Sequence, residues 1–158
     1  MERLLYAVTF ISVLGTGLIA GIFFAFSSFV MGALGRLPAA NGISAMQSIN
    51  ITVLNPLFLG VFMGTAVLCL VLALSAIMRW SEPGAAYLLA GGAFYVIGTF
   101  AVTVALNVPL NDQLASVNPQ SGEGAAVWAR YLTDWTMWNH VRTGAALLAS
   151  ACLIKALP

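Results

Sequence analysis

Residues 4–35 read LLYAVTFISVLGTGLIAGIFFAFSSFVMGALG, and no side chain between Leu4 and Gly35 is charged. A helix needs about 20 apolar residues to cross a bilayer, whereas the apolar region of a cleaved leader spans only about 7–15. The run is therefore read as a membrane-spanning helix and not as a signal peptide. In lipid, backbone groups must be satisfied inside the segment, which makes the span helical. The alternation that marks a barrel strand is absent.

The rest of the chain has the same character. Hydrophobic residues make up 61% of its 158 residues and charged residues 7%, with a mean hydropathy of +0.97. Soluble domains carry about 25% charged residues, so the solvent this chain is built for is lipid. Three further spans are predicted. One covers about Ile51–Met78. The next follows Ser81-Glu82-Pro83, read as an N-cap with an early proline, and runs to about Asn107, with Pro109 expected to end it. The last ends at Leu157, and no proline between Gln120 and Leu157 prevents one long helix from about Glu123. The expected architecture is all-α, a single domain over 1–158. It is a four-transmembrane-helix bundle with a short interfacial helix in the third loop, after Asn111.

Small residues recur at Gly17, Gly21, Ala25, Ser28 and Gly32, and again at Gly60 and Gly64. Such stripes let helices approach closely. They are read as packing within one bundle, with a homo-oligomer face as the rarer alternative. The net charge of +1 offers no field for nucleic acid. Cys69 and Cys152 lie in apolar runs and read as small core hydrophobes.

Four crossings place both termini on one side and gather the polar residues on the other. That rim would hold Gln47, Asn50 and Asn55, then Asn107, Asn111 and Asp112, then Asn139, His140, Arg142 and Thr143. Basic residues are balanced between the sides: Arg3, Arg79 and Lys155 against Arg36, Arg130 and Arg142. Setting Arg142 aside as a site residue favours cytoplasmic termini, in a bacterial inner membrane.

On a helix each residue turns by about 100°. With Thr136 at zero, His140, Thr143, Asn139 and Arg142 share an arc about 160° wide, with His140 and Arg142 at its edges. Trp138 points away, toward headgroups. For the single histidine, a metal site lacks a ligand set and a haem site lacks a motif. A hydrogen-bonded structural histidine and a neutral general base both remain open. Arg142 either pairs with Asp134 or Asp112, or presents a fixed cation to developing negative charge. Tyr95, Thr99, Thr103 and Asn107 form a line spaced by four. Their hydroxyls either bond their own helix or line a substrate path.

Several pieces carry a resemblance. They are Gly21-Ile22-Phe23-Phe24-Ala25-Phe26-Ser27, Met46-Gln47-Ser48-Ile49-Asn50, Asn107-Val108-Pro109-Leu110-Asn111 and Trp138-Asn139-His140-Val141-Arg142-Thr143. The chain resembles the anthrone oxygenase-like family of small membrane proteins. The resemblance implies oxidation of an apolar aromatic or phenolic substrate by dioxygen, without a bound cofactor. On that expectation His140 is the base, while Asn107, Asn139 and Arg142 stabilise the enolate oxygen. Asn111, Asn50, Gln47, Trp135, Thr143, Tyr95 and Thr103 are the candidate substrate-binding residues, and no metal ligand is expected. The competing expectation is a non-enzymatic carrier or assembly partner whose polar rim is structural.

Overall fold

The computed structural model describes residues 2–157. Among them every regular element is helical. The first rod is α1 (Glu2–Ala25), a π turn (Phe26–Val30) and α2 (Met31–Leu34) in unbroken succession. Then come α3 (Ala39–Thr52) and α4 (Pro56–Met78). A third rod joins α5 (Ala85–Ala93), π turns at Phe94–Ala101 and Thr103–Asn107, and α6 (Val108–Ala115). Last is α7 (Gly122–Ala156), 35 residues without interruption.

Three of these, Arg3–Leu34, Pro56–Met78 and Ala85–Ala115, are long and apolar enough to cross a membrane. The protein is thus an integral membrane protein by length and composition. The α7 helix has the length but a more polar sequence, with Glu123, Arg130, Asp134, His140, Arg142 and Lys155 along it.

Local chemistry sets the boundaries. Asn55 caps α4 by accepting from the Phe58 amide at 3.0 Å, and Pro56 takes the first turn, where its missing N–H costs nothing. This cap corrects the expected start at Ile51. The segment before it is a separate helix, α3, and the polypeptide breaks at 53–55. Ser121 caps α7 through the Gly124 amide at 2.9 Å. The third rod begins after Gly84, whose φ of +83° suits glycine, and not at Ser81. Pro109 does not end that rod. It sits in the first turn of α6, directly after a π turn, and the expected loop helix after Asn111 is the tail of this continuous rod.

The rods pack as a square, α1 against α4 and α7, and α5 against α4 and α7. Backbones come closest between the third rod and its two neighbours. A Cβ on Gly92 would stand 2.5 Å from the Cys69 carbonyl oxygen, and one on Gly98 would stand 2.6 Å from the Ala145 Cβ. The small stripe of α1 has a different role from the one expected. Gly17, Gly21, Ser28 and Gly32 are exposed, and a Cβ on Gly21, Gly32, Gly60 or Gly64 would meet nothing within 4 Å. The bundle buries the Thr9, Ser12, Thr16, Ile19, Ala20 and Phe23 side of α1 instead.

Two apolar clusters fill the molecule. One spans the bundle and includes Ile19, Phe62, Cys69, Leu72, Tyr95 and Leu153. The other lies under a cap made by α3, α6 and the first half of α7, around Met46, Leu114, Trp128, Tyr131 and Trp135. A polar layer separates them.

Candidate functional site

One face of α7 builds that layer. Trp128, Tyr131, Trp135, Asn139 and Arg142 are all buried, and their spacings of three and four stack them along the helix. Trp128 and Tyr131 stack with ring centroids 5.7 Å apart, as do Tyr131 and Trp135. The Arg142 guanidinium carbon continues the column, 5.0 Å from the Trp135 ring and 4.0 Å from the Phe23 ring. Phe23 in turn meets Phe62 edge-on at 6.3 Å. Phe62 lies six residues into α4, which places the column about 9 Å inside that helix's start at 1.5 Å per residue.

Arg142 is 4% exposed. Its Nη2 donates to Asn139 Oδ1 at 2.6 Å and its Nη1 to Thr103 Oγ1 at 3.2 Å. Among the described residues it has no carboxylate partner; the ion pair described is Arg79–Glu82, on a distant loop. Neither Asp134 nor Asp112 reaches it, and it does not snorkel. Desolvating a cation at membrane depth is costly, and here two aromatic faces and two neutral acceptors offset part of the penalty.

Asn139 uses both ends of its amide. Nδ2 donates to the Phe23 carbonyl and to Ser27 Oγ, each at 2.7 Å, while Oδ1 holds Arg142. Thr143 donates to the Asn139 carbonyl at 2.8 Å and meets Ser27 at 3.2 Å. The third rod supplies the opposite wall. Thr99 donates to the Arg142 carbonyl at 3.3 Å, and Asn107 Nδ2 donates to the Trp135 carbonyl at 3.2 Å. Thr103 bonds its own i−4 carbonyl at 2.7 Å while accepting from Arg142. All three π turns adjoin this layer, and such turns gather at functional sites. Four buried atoms in or beside it have no partner among the described residues: Arg142 Nε, Trp135 Nε1, Asn107 Oδ1 and Thr136 Oγ1.

The remaining candidates divide differently from the expectation. Gln47 donates to the carbonyls of Leu114 and Val117 at 2.8 and 3.2 Å, which ties α3 to the end of α6. Tyr131 donates to Asn111 Oδ1 at 2.7 Å and accepts from Asn50 at 3.4 Å. These bonds close the cap above the layer and do not reach Arg142. Burial raises the Tyr131 phenol above its ordinary range, opposed by the Asn50 hydrogen bond and the Arg142 charge. Tyr95 donates to the Phe62 carbonyl at 3.2 Å, a joint between rods.

His140 is exposed and stands apart from the cluster. The expected arc runs from His140 to Arg142 and is centred between Thr143 and Asn139. The buried face is instead centred on Trp135, Asn139, Arg142 and Ala146, because α7 lies between α1 and the third rod. One residue beyond Asn139, a turn of about 100° carries the imidazole past α1 to the outer flank. The shared hollow expected around His140 is therefore a closely packed layer without it. Trp138 is half-buried. Of two shallow hollows described, the larger, about 30 Å³, lies at the cap edge against Leu110, Val127, Arg130 and Tyr131, and neither is lined by Arg142, Asn107 or His140.

Among the described residues no group of three or more His, Cys, Asp or Glu stands where it could hold a metal ion. The donors left without a partner among the described residues are the Arg142 Nε–H, the Trp135 indole and the Thr136 hydroxyl, a set suited to an oxyanion. Phe23, Ser27, Trp128 and Tyr131 were not singled out from sequence. The buried stripe Trp128-x2-Tyr131-x3-Trp135-x3-Asn139-x2-Arg142 carries a signal that could have found the last two.

A family model described as anthrone oxygenase matches residues 58–152, more than half of the chain. The matched span holds Thr103, Asn107, Trp135, Asn139 and Arg142, and leaves out Phe23 and Ser27. No curated protein and no solved structure matches significantly.

Proposed function

Since this chain belongs to the anthrone oxygenase family, we propose that it is a membrane-embedded oxygenase of apolar hydroxylated aromatics, with Arg142 as the charge that stabilises the substrate's anion. The observation that supports this most is the guanidinium itself: sealed from water, flanked by aromatic rings and without a carboxylate counterion among the described residues. An ionisable group at membrane depth is by default a functional one.

In this reading the substrate loses a proton from an acidic C–H, and its charge spreads onto an oxygen facing Arg142. The electron-rich carbon reacts with dioxygen. One oxygen atom becomes the new carbonyl, the other leaves as water, and the carbon has lost two hydrogens. Asn139 is a positioning residue, because both ends of its amide are engaged and it holds Nη2 in place. Both dioxygen and the substrate partition into lipid, which suits a buried site. The proton passes outward to His140 on the flank of α7 through the Thr136 hydroxyl, which is buried one helical turn away without a partner among the described residues. We also read α7 as a fourth span from about Asn139 to Leu157, supported by its apolar Ala145–Leu153 face buried between two spans.

Oxygen uptake by membranes given an anthrone is the test. Arg142→Gln abolishes uptake at unchanged expression, and uptake at the wild-type rate would overturn the proposal. His140→Gln slows uptake without affecting folding. An unchanged rate there would remove the imidazole from the reaction and leave Arg142 in place. Close packing around Arg142 favours the competing reading, a carrier or assembly partner with a structural polar layer. That reading has Arg142→Gln changing stability or assembly and no oxygen consumed by any substrate.

A further inference from the structure

The Arg142 layer contains an unmatched set of hydrogen-bonding groups with a definite polarity. Arg142 Nε and Trp135 Nε1 are donors, Asn107 Oδ1 is an acceptor, and all three are buried without a partner among the described residues. They belong to one neighbourhood. Arg142 lies over the Trp135 ring at 5.0 Å. Asn107 bonds the Trp135 carbonyl at 3.2 Å and stands one helical turn from Thr103, which accepts from Arg142. Buried polar groups without partners are rare and each calls for an explanation. Each terminal nitrogen of the guanidinium makes one hydrogen bond, Nη1 to Thr103 and Nη2 to Asn139. Those bonds orient the fork and leave Nε free.

A group that satisfies all three atoms offers one oxygen that accepts two hydrogen bonds and one hydrogen that donates. The uncompensated cation favours a negative charge on that oxygen. No described hollow reaches these atoms, so a ligand enters by parting the packed rings of Phe23, Phe26 and Trp135, which stack best on a flat aromatic body. We infer that Arg142 Nε, Trp135 Nε1 and Asn107 Oδ1 bind the monoanion of an aromatic bearing two adjacent oxygens. The ionised oxygen meets the arginine and the indole, and the neighbouring hydroxyl donates to Asn107. This rests on the anion-stabilising reading above and adds which atoms meet the ligand. Tyr131, stacked on Trp135 from the cap side, is the nearest other titratable group; Tyr95 and Cys69 lie in the bundle cluster below, and His140 points outward.

The test needs no catalysis. Purified full-length protein in detergent is titrated anaerobically with 4-nitrocatechol or 4-nitrophenol, both of which change colour on ionisation. With wild type, the catechol ionises about one pH unit lower than in detergent alone, the size of a hydrogen bond to a charged group. The single-hydroxyl phenol shifts clearly less. Trp135→Phe, which keeps the ring, roughly halves the catechol shift, and Arg142→Gln removes it. Equal shifts for the two probes, or for wild type and Arg142→Gln, would overturn the assignment. So would the absence of any shift, the result expected if the three atoms hold a buried water only. Probe binding without oxygen uptake upholds this site and sinks the oxygenase reading; uptake without probe binding does the reverse.

Discussion

Arg142 is held by groups that cannot neutralise it, so its burial costs stability. Replacing a buried ion with a hydrophobic side chain of similar size is often neutral or stabilising. Arg142→Met is therefore expected to melt within about 4 °C of wild type, the shift worth about 1 kcal/mol, while losing oxygen uptake. A large fall in melting temperature would mean that the cation serves the fold. Asn139 is the opposite case. Asn139→Ala deletes three hydrogen bonds, two of 2.7 Å and one of 2.6 Å, and strands Arg142 Nη2. It is expected to cost about 2–4 kcal/mol in denaturant or thermal unfolding, and a loss below about 1 kcal/mol would show that its bonds are dispensable. The residue types of this cluster could be read from the sequence, since Asn139, Arg142, Asn107 and Thr103 are conspicuous in so apolar a chain. Which of them face each other could not. A shift of one position on α7 separates Asn139, which is fully buried, from His140, which is exposed.

At the level of elements, glycine separates two kinds of helix face. Gly92→Ala would drive a Cβ to 2.5 Å from the Cys69 carbonyl oxygen, backbone that has no rotamer to adjust. It is expected to destabilise by about 1–3 kcal/mol and to lower the yield of folded protein. Gly60→Ala meets nothing within 4 Å and should be neutral or stabilising by up to about 1 kcal/mol through helix propensity. Comparing the two melting temperatures checks the packing of α4 on α5, and equal effects would contradict it. The boundary between α3 and α4 was legible at Asn55-Pro56, a cap followed by a first-turn proline, although hydropathy alone ran the two together. The passage of the third rod through Pro109 was not legible. Proline forbids the helical bond only to a regular preceding turn, and the π turn at Thr103–Asn107 rearranges that ladder.

For the whole molecule, a fourth crossing by α7 has a directional consequence. The cap side carries Ser44 and Ser116, and the opposite end carries Ser81 and the end of α7. In sealed vesicles from a cysteine-free background, Ser44→Cys and Ser116→Cys are expected to label with an impermeant maleimide from one side. Ser81→Cys and a C-terminal tag should be reached from the other. A tag accessible with Ser44 would place both ends of α7 on the same side and reduce the spans to three. The cap itself seals the polar layer through Tyr131, Asn111 and Asn50. Tyr131→Phe keeps the stacking and deletes the clasp, so it is expected to lower stability by about 1 kcal/mol. It should also speed the quenching of tryptophan fluorescence by acrylamide, and an unchanged quenching rate would show that the clasp does not hold the cap closed.

The sequence alone settled the solvent, the helical class and the residue types present near one end of the bundle. Each follows from composition and local spacing, and the run from Leu4 to Gly35 without charge leaves few alternatives in lipid. The tertiary structure decided which face of each helix turns inward, and with it the exchange of His140 for an aromatic column ending in Arg142. Helical periodicity defines faces only relative to one another. Their absolute rotation is set by where the neighbouring rods lie, and that depends on contacts far apart in the chain, such as those of Asn139 with Phe23 and Asn107 with Trp135.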